Sequence, residues 1–69
     1  MLDNLKKSHT FFDGETVLLR WEQDGNDLYV TCFPSKASGP EYGFGLTEED
    51  TLKDLDKNYA ELIDFISGD

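Results

Sequence analysis

The chain holds one cysteine and one histidine in 69 residues, and each scarcity closes off a class of explanation. With Cys32 alone, no disulfide forms within the chain. His9 is the only other soft or borderline metal ligand and nothing in the sequence pairs it with Cys32, so no metal and no cofactor is expected. A lone cysteine inside an apolar run fits a reducing compartment. No apolar stretch follows Lys6 and Lys7, so no signal peptide is read, and no hydrophobic run is long enough to span a bilayer. The expectation is a cytoplasmic protein with no membrane partner. Basic residues number six, and only Lys6 and Lys7 are adjacent. Direct binding to nucleic acid, with its one charge per about 1.7 Å of duplex, is therefore not expected. Gly43-Phe44-Gly45 lacks the strand, turn, lysine and helix context of a phosphate-binding loop.

What the chain does have is acid. Fifteen acidic residues leave a formal charge of −9. Residues 47–69 carry −6 of it, from Glu48, Glu49, Asp50, Asp54, Asp56, Glu61, Asp64 and Asp69 against Lys53 and Lys57. Such a field repels nucleic acid and anionic membrane and attracts basic protein surfaces, most strongly at low salt. Hydrophobic residues at 38% and nine aromatics mark a folding chain despite the charge. Its length is that of one domain, residues 1–69, burying only about 60% of its unfolded surface. Domains this small usually need a staple. With disulfide and metal set aside, self-association is the staple left, so the expectation leans towards a homodimer, the alternative being a monomer of marginal stability.

The clearest element is a C-terminal helix. Leu52, Leu55, Tyr59, Leu62, Ile63 and Ile66 trace one face of a 3.6-residue period. Thr47 with Asp50, or Thr51 with Asp54, would cap its start, and Gly68 is placed to end it in a left-handed cap. Upstream, Thr16 to Glu22 alternates Val17, Leu19 and Trp21 with a wetter face bearing Leu18, Arg20 and Glu22. Leu28, Val30 and Cys32 alternate with Tyr29, Thr31 and Phe33. Asp24-Gly25-Asn26 between these runs signals a hairpin, and Pro34 ends the second run. Ser35 to Glu41 reads as a loop. Tyr42-Gly43-Phe44-Gly45-Leu46 reads as a third strand with one apolar and one bare face. The bare face suits close approach of another backbone, or, less simply, a flat window for a partner. Leu2 and Leu5 suit a short helical turn or arm, followed by a strand near His9 to Phe12 that enters a turn at Asp13-Gly14.

The predicted fold is α+β: a small antiparallel sheet of three to four strands with one long C-terminal amphipathic helix packed on one face. Val17, Leu19, Trp21, Leu28, Val30, Cys32, Tyr42, Phe44 and Leu46 should meet the apolar stripe of the helix.

No catalytic set is present. His9 in its polar stretch reads as a surface histidine, and Cys32 as a buried small hydrophobe. The acidic runs Glu22 to Asp27 and Glu48 to Asp50 lack the ligand spacing of a calcium loop, and read as a hairpin turn and a helix start. The expectation is therefore a non-enzymatic protein binder. Its first form is an acidic inhibitor of phage or mobile-element type. Acting as a nucleic-acid mimic, it would occupy the basic surface of a nucleic-acid-binding partner through Glu48, Glu49, Asp50, Asp54, Asp56, Glu61 and Asp64. The simpler alternative for these residues is a solvated helix face, part-neutralised by the pairs Glu49–Lys53, Asp54–Lys57 and Lys57–Glu61. The second form is an interaction module binding through exposed aromatics. The candidates are Phe11, Phe12, Tyr29, Phe33 and Phe65, which fall outside the core stripes.

Asp24-Gly25, Tyr29-Val30, Pro34, and then Gly45 and Thr47 leading into an acidic amphipathic helix with Ala60 resemble HicB-type antitoxin domains over residues 18–66. The loop from Ser35 to Tyr42 departs from that pattern. The resemblance implies the order β-β-β-α and an antitoxin-like or immunity-like inhibitor.

Overall fold

A computed structural model describes residues 4–67. The readings placed on Leu2 and on Gly68 lie outside these residues. Five strands precede one helix: β1 (Ser8–Thr10), β2 (Thr16–Leu18), β3 (Arg20–Asp24), β4 (Asp27–Cys32), β5 (Glu41–Gly45) and α1 (Glu48–Ile66). The fold is α+β, with the helix packed on the sheet, and its strands are divided between two antiparallel sheets. One pairs β1 with β2, and the other has the order β3-β4-β5.

The run expected as one strand from Thr16 to Glu22 is interrupted at Leu19. Its first part pairs with β1, Ser8 opposite Leu18 and Thr10 opposite Thr16. Its second part pairs with β4, Arg20 opposite Thr31 and Asp24 opposite Asp27. Leu19 N still donates to Lys7 O at 2.9 Å, so the break is a bend between two pairings rather than a loop. The turn joining β3 to β4 is Gly25-Asn26. Gly25 has φ +62° and Asn26 has no positive φ, the arrangement of a type II′ hairpin with glycine first. Gly14, at φ +93°, likewise closes the β1–β2 connection, donating to Phe11 O at 2.9 Å.

Of the two candidate helix starts the chain uses Thr47. Its extended backbone and side-chain oxygen, accepting from Asp50 N at 3.1 Å, make it the N-cap. Glu48, Glu49 and Asp50 then fill the first turn, where the helix dipole favours negative charge. Thr51 is fully buried and spends its hydroxyl on Thr47 O at 2.7 Å.

The face that β5 turns to α1 is the glycine face. A Cβ at Gly43 would overlap the Thr51 carbonyl oxygen and lie 2.9 Å from Leu55 Cβ, and one at Gly45 would lie 2.7 Å from Thr51 N. Helix and strand backbones touch there, as the bare face suggested. The consequence reverses part of the expected core. Tyr42, Phe44 and Leu46 point away from the helix and are exposed, because strand alternation sends them outward once the glycines face in. Ile66, near the helix end, is exposed as well. The core that forms is Phe11, Val17, Val30, Cys32, Leu52, Leu55 and Tyr59, with Leu19, Trp21, Leu62 and Ile63 packed against it.

Phe11 was expected among the exposed aromatics and is 3% exposed. The β1–β2 hairpin folds onto the helix and lays the Phe11 ring flat on Tyr59, with centroids 3.8 Å apart. Its burial depends on a contact 48 residues away in sequence, which no local alternation signals.

Candidate functional site

The seven helix acids do not form one row. At about 100° per residue, Asp50, Asp54 and Glu61 fall on the flank over β5, and Glu49 and Asp56 on the flank towards β1. Asp64 lies between them with Lys53 and Lys57. Several acids are also engaged within the chain. Glu48 Oε2 accepts from Lys6 N at 2.8 Å. Asp54 Oδ2 accepts from Phe44 N at 3.0 Å, and Asn58 donates to Tyr42 O at 2.7 Å, so helix side chains cap the outer edge of β5. Asp56 Oδ1 accepts from His9 Nε2 at 2.7 Å. Of the three expected intrahelical pairs, Glu49–Lys53 forms at 3.5 Å between two exposed side chains. Asp50, Glu61 and Asp64 make no ion pair among the described residues.

His9 is half-buried rather than a plain surface residue. Its ring meets Phe11 edge-on at 5.3 Å, and its bond to Asp56 ties β1 to the helix. A second tie joins the hairpin turn to the helix and to the loop after β4. Tyr59 donates to Asp13 Oδ2 at 2.7 Å and Glu15 Oε1 at 3.3 Å. Lys36 Nζ reaches the same Asp13 oxygen at 2.7 Å, and Ser35 N donates to Glu15 Oε2 at 2.6 Å. The Lys36 bond, with help from Glu15 N and Tyr59, holds the Asp13 carboxyl down at about 2. The bond from Ser35 N lowers Glu15 too, and desolvation and the adjacent Asp13 push the Tyr59 phenol up. These groups hold the hairpin turn, the helix and the loop after β4 together.

The unoccupied surface lies on the far side of the sheet. The register places Arg20, Thr31 and Tyr42 in one row across β3-β4-β5, and Glu22, Tyr29 and Phe44 in the next. All six point away from the helix. Tyr29 and Phe44 pack together with centroids 5.0 Å apart, yet Phe44 remains 49% exposed. Phe33 and Leu18 are exposed and line a shallow hollow of about 330 Å³ beyond the Arg20–Thr31 row, and Leu46 is exposed just past β5. Two expected aromatics, Tyr29 and Phe33, therefore belong to this face. Phe12 meets the Tyr59 ring edge at 5.7 Å and lies outside it, and Phe65 lines a groove of about 560 Å³ between β5 and the helix, with Pro40, Tyr42 and Leu62. The members missed from sequence are Leu18, Tyr42, Phe44 and Leu46. The signal that could have found the last three was the alternating glycine pair, which marks the opposite face as the one that meets the helix.

A third concavity, about 360 Å³, is lined by Lys6, His9, Glu48, Glu49, Leu52, Lys53 and Asp56. Its charges are mixed and largely paired with one another. Among the described residues, no group of three or more histidines, cysteines or carboxylates is placed to hold a metal ion. Cys32 is buried, and that burial raises its thiol to about 11, far from a reactive thiolate at neutral pH. No helix among the described residues is long and apolar enough to cross a membrane. Comparison with known protein families, curated proteins and solved structures returned no match to this chain.

Proposed function

We propose that this protein is a non-enzymatic interaction module that binds protein through the open face of its β3-β4-β5 sheet. The observation that carries this reading is the packed and exposed pair Tyr29 and Phe44, with exposed Tyr42 in the next row and exposed Phe33 just past β4, on a sheet that meets the helix on its other side. Exposed apolar patches of this extent mark docking surfaces, and tyrosine and phenylalanine supply large, rigid contact area there. The acidic helix occupies the other side of the molecule and keeps it soluble. Mimicry of nucleic acid by the helix is less favoured, because the acids fall on two flanks and Asp54 and Asp56 serve backbone and histidine partners of their own chain.

The test is capture of partner protein from native extract by three immobilised forms: wild type, Phe44→Ser, and a triple variant with Glu49→Gln, Asp50→Asn and Asp54→Asn. Each is washed at low salt and at about 0.5 M, where the Debye length drops below roughly 5 Å. The expected result is a partner that survives the salt wash on wild type and on the triple variant and is lost from Phe44→Ser. A partner held only at low salt, and lost from the triple variant, would return the site to the acidic helix.

A further inference from the structure

We infer that the occupant of the open sheet face is a second copy of this chain, in a symmetric dimer packed sheet to sheet; this rests on the reading of that face as a docking surface. Three observations converge. The first is area. With about 200 Å² for a fully exposed aromatic side chain and somewhat less for leucine, the exposed parts of Leu18, Tyr29, Phe33, Tyr42, Phe44 and Leu46 amount to about 700 Å². That is close to the roughly 800 Å² per partner of a standard stable interface.

The second is need. Among the described residues eight apolar side chains are buried, the seven of the core and Leu28, and domains of this size usually rely on a staple that one thin core does not supply. Two such sheets pressed face to face, about 10 Å apart, make a second core from side chains that each monomer leaves in water.

The third is charge. The formal charge of −9 opposes self-association only where the acids meet. Sheet-to-sheet packing leaves the two α1 helices on opposite outer surfaces, three layer spacings or roughly 30 Å apart. At physiological salt the Debye length is about 8 Å, so the repulsion between them is screened. The outward charges on β3 and β4 are Arg20, Glu22, Asp24 and Asp27, and of these Arg20 and Glu22 form the complementary pair. Arg20 and Glu22 sit two residues apart on β3, both outward and exposed. A two-fold axis that runs the facing β3 strands antiparallel brings Arg20 of each copy to Glu22 of the other, the self-complementary pairing of an isologous interface.

The experiment is sedimentation equilibrium of the full chain over roughly 1 to 200 µM. Wild type should approach twice the 7.9 kDa chain mass and hold its association, or tighten it, as salt rises to about 0.5 M. Phe44→Ser and Arg20→Glu should each weaken the dimer by about tenfold or more. The double variant Arg20→Glu with Glu22→Arg should recover most of the loss, because the exchange restores the pair across the axis. All three positions tested are solvent-exposed, and far-ultraviolet circular dichroism checks that each variant is folded. A wild type that stays at 7.9 kDa overturns the inference. So does a dimer untouched by Phe44→Ser, which would use another surface, or one that falls apart as salt is raised. A monomeric wild type would leave the partner-binding reading standing if Phe44→Ser still loses its captured partner, so the two fail separately.

Discussion

Gly43 and Thr51 are in backbone contact: a methyl group at Gly43 would overlap the Thr51 carbonyl oxygen. This one approach sets which face of β5 is inside, and through the alternation of the strand it places Tyr42 and Phe44 in solvent. The interaction surface is thus a consequence of how closely the helix lies on the strand.

Gly43→Ala should destabilise the fold by about 1–3 kcal/mol, because the obstacle is helix backbone and cannot rotate away. For a chain this size that corresponds to a fall in melting temperature on the order of 10 °C. Gly39→Ala is the control, since nothing lies within 4 Å of its added methyl. Thermal unfolding followed by circular dichroism measures both, and equal melting temperatures would mean the helix is not held against β5.

Stability should fall as the pH is lowered from about 4 towards 2. Asp13 is held at about 2 against an ordinary 3.8, so the stability it contributes is present above pH 4 and is lost as pH falls through the folded value. Glu15 shifts in the same direction. Glu41, raised by burial, works in the opposite sense, since its protonation favours the folded form. Urea midpoints measured across this range should decline in wild type and decline less steeply in Asp13→Asn. Parallel declines would remove Asp13 from the account.

Cys32 should be shielded. Its thiol at about 11, against an ordinary 9.0, implies a thiolate fraction about a hundredfold lower at pH 8. Alkylation by iodoacetamide should be slower by at least that factor in the native protein than in urea. Rapid native labelling would show that the space between sheet and helix opens readily.

Asp54→Ala should uncap the edge of β5. The Phe44 amide loses its acceptor and gains access to water, so its hydrogen exchange should accelerate by about tenfold or more. Val30, fully buried in the middle strand, serves as the reference. Unchanged exchange at Phe44 would mean that the carboxylate is free for a partner.

Much of this architecture is legible in the chain because its signals are local. Leu52, Leu55 and Tyr59 recur at helical spacing and are all buried. Thr47 and Asp50 carry the cap, and Gly25 the tight turn. Leu28, Val30 and Cys32 alternate inward along β4. The strand pattern of residues 41–46 is equally legible, but its inward side is not. Alternation divides a strand into two faces without ranking them when one carries aromatics and the other only glycine, and hydrophobicity alone chooses wrongly here.

The sequence by itself determined the α+β class, the hairpin around Gly25, the helix stripe and the sign and location of the excess charge. These depend on residues within a few positions of one another and on the backbone preferences of glycine, proline and threonine. Only the tertiary structure decided that the long first strand bends at Leu19 to serve two sheets, that Phe11 is buried on Tyr59, that Asp54 and Asp56 turn back to their own chain, and that Tyr42 and Phe44 face outward. Each of these outcomes is set by the distance between elements far apart in sequence, and the closest of those distances exists because Gly43 has no side chain.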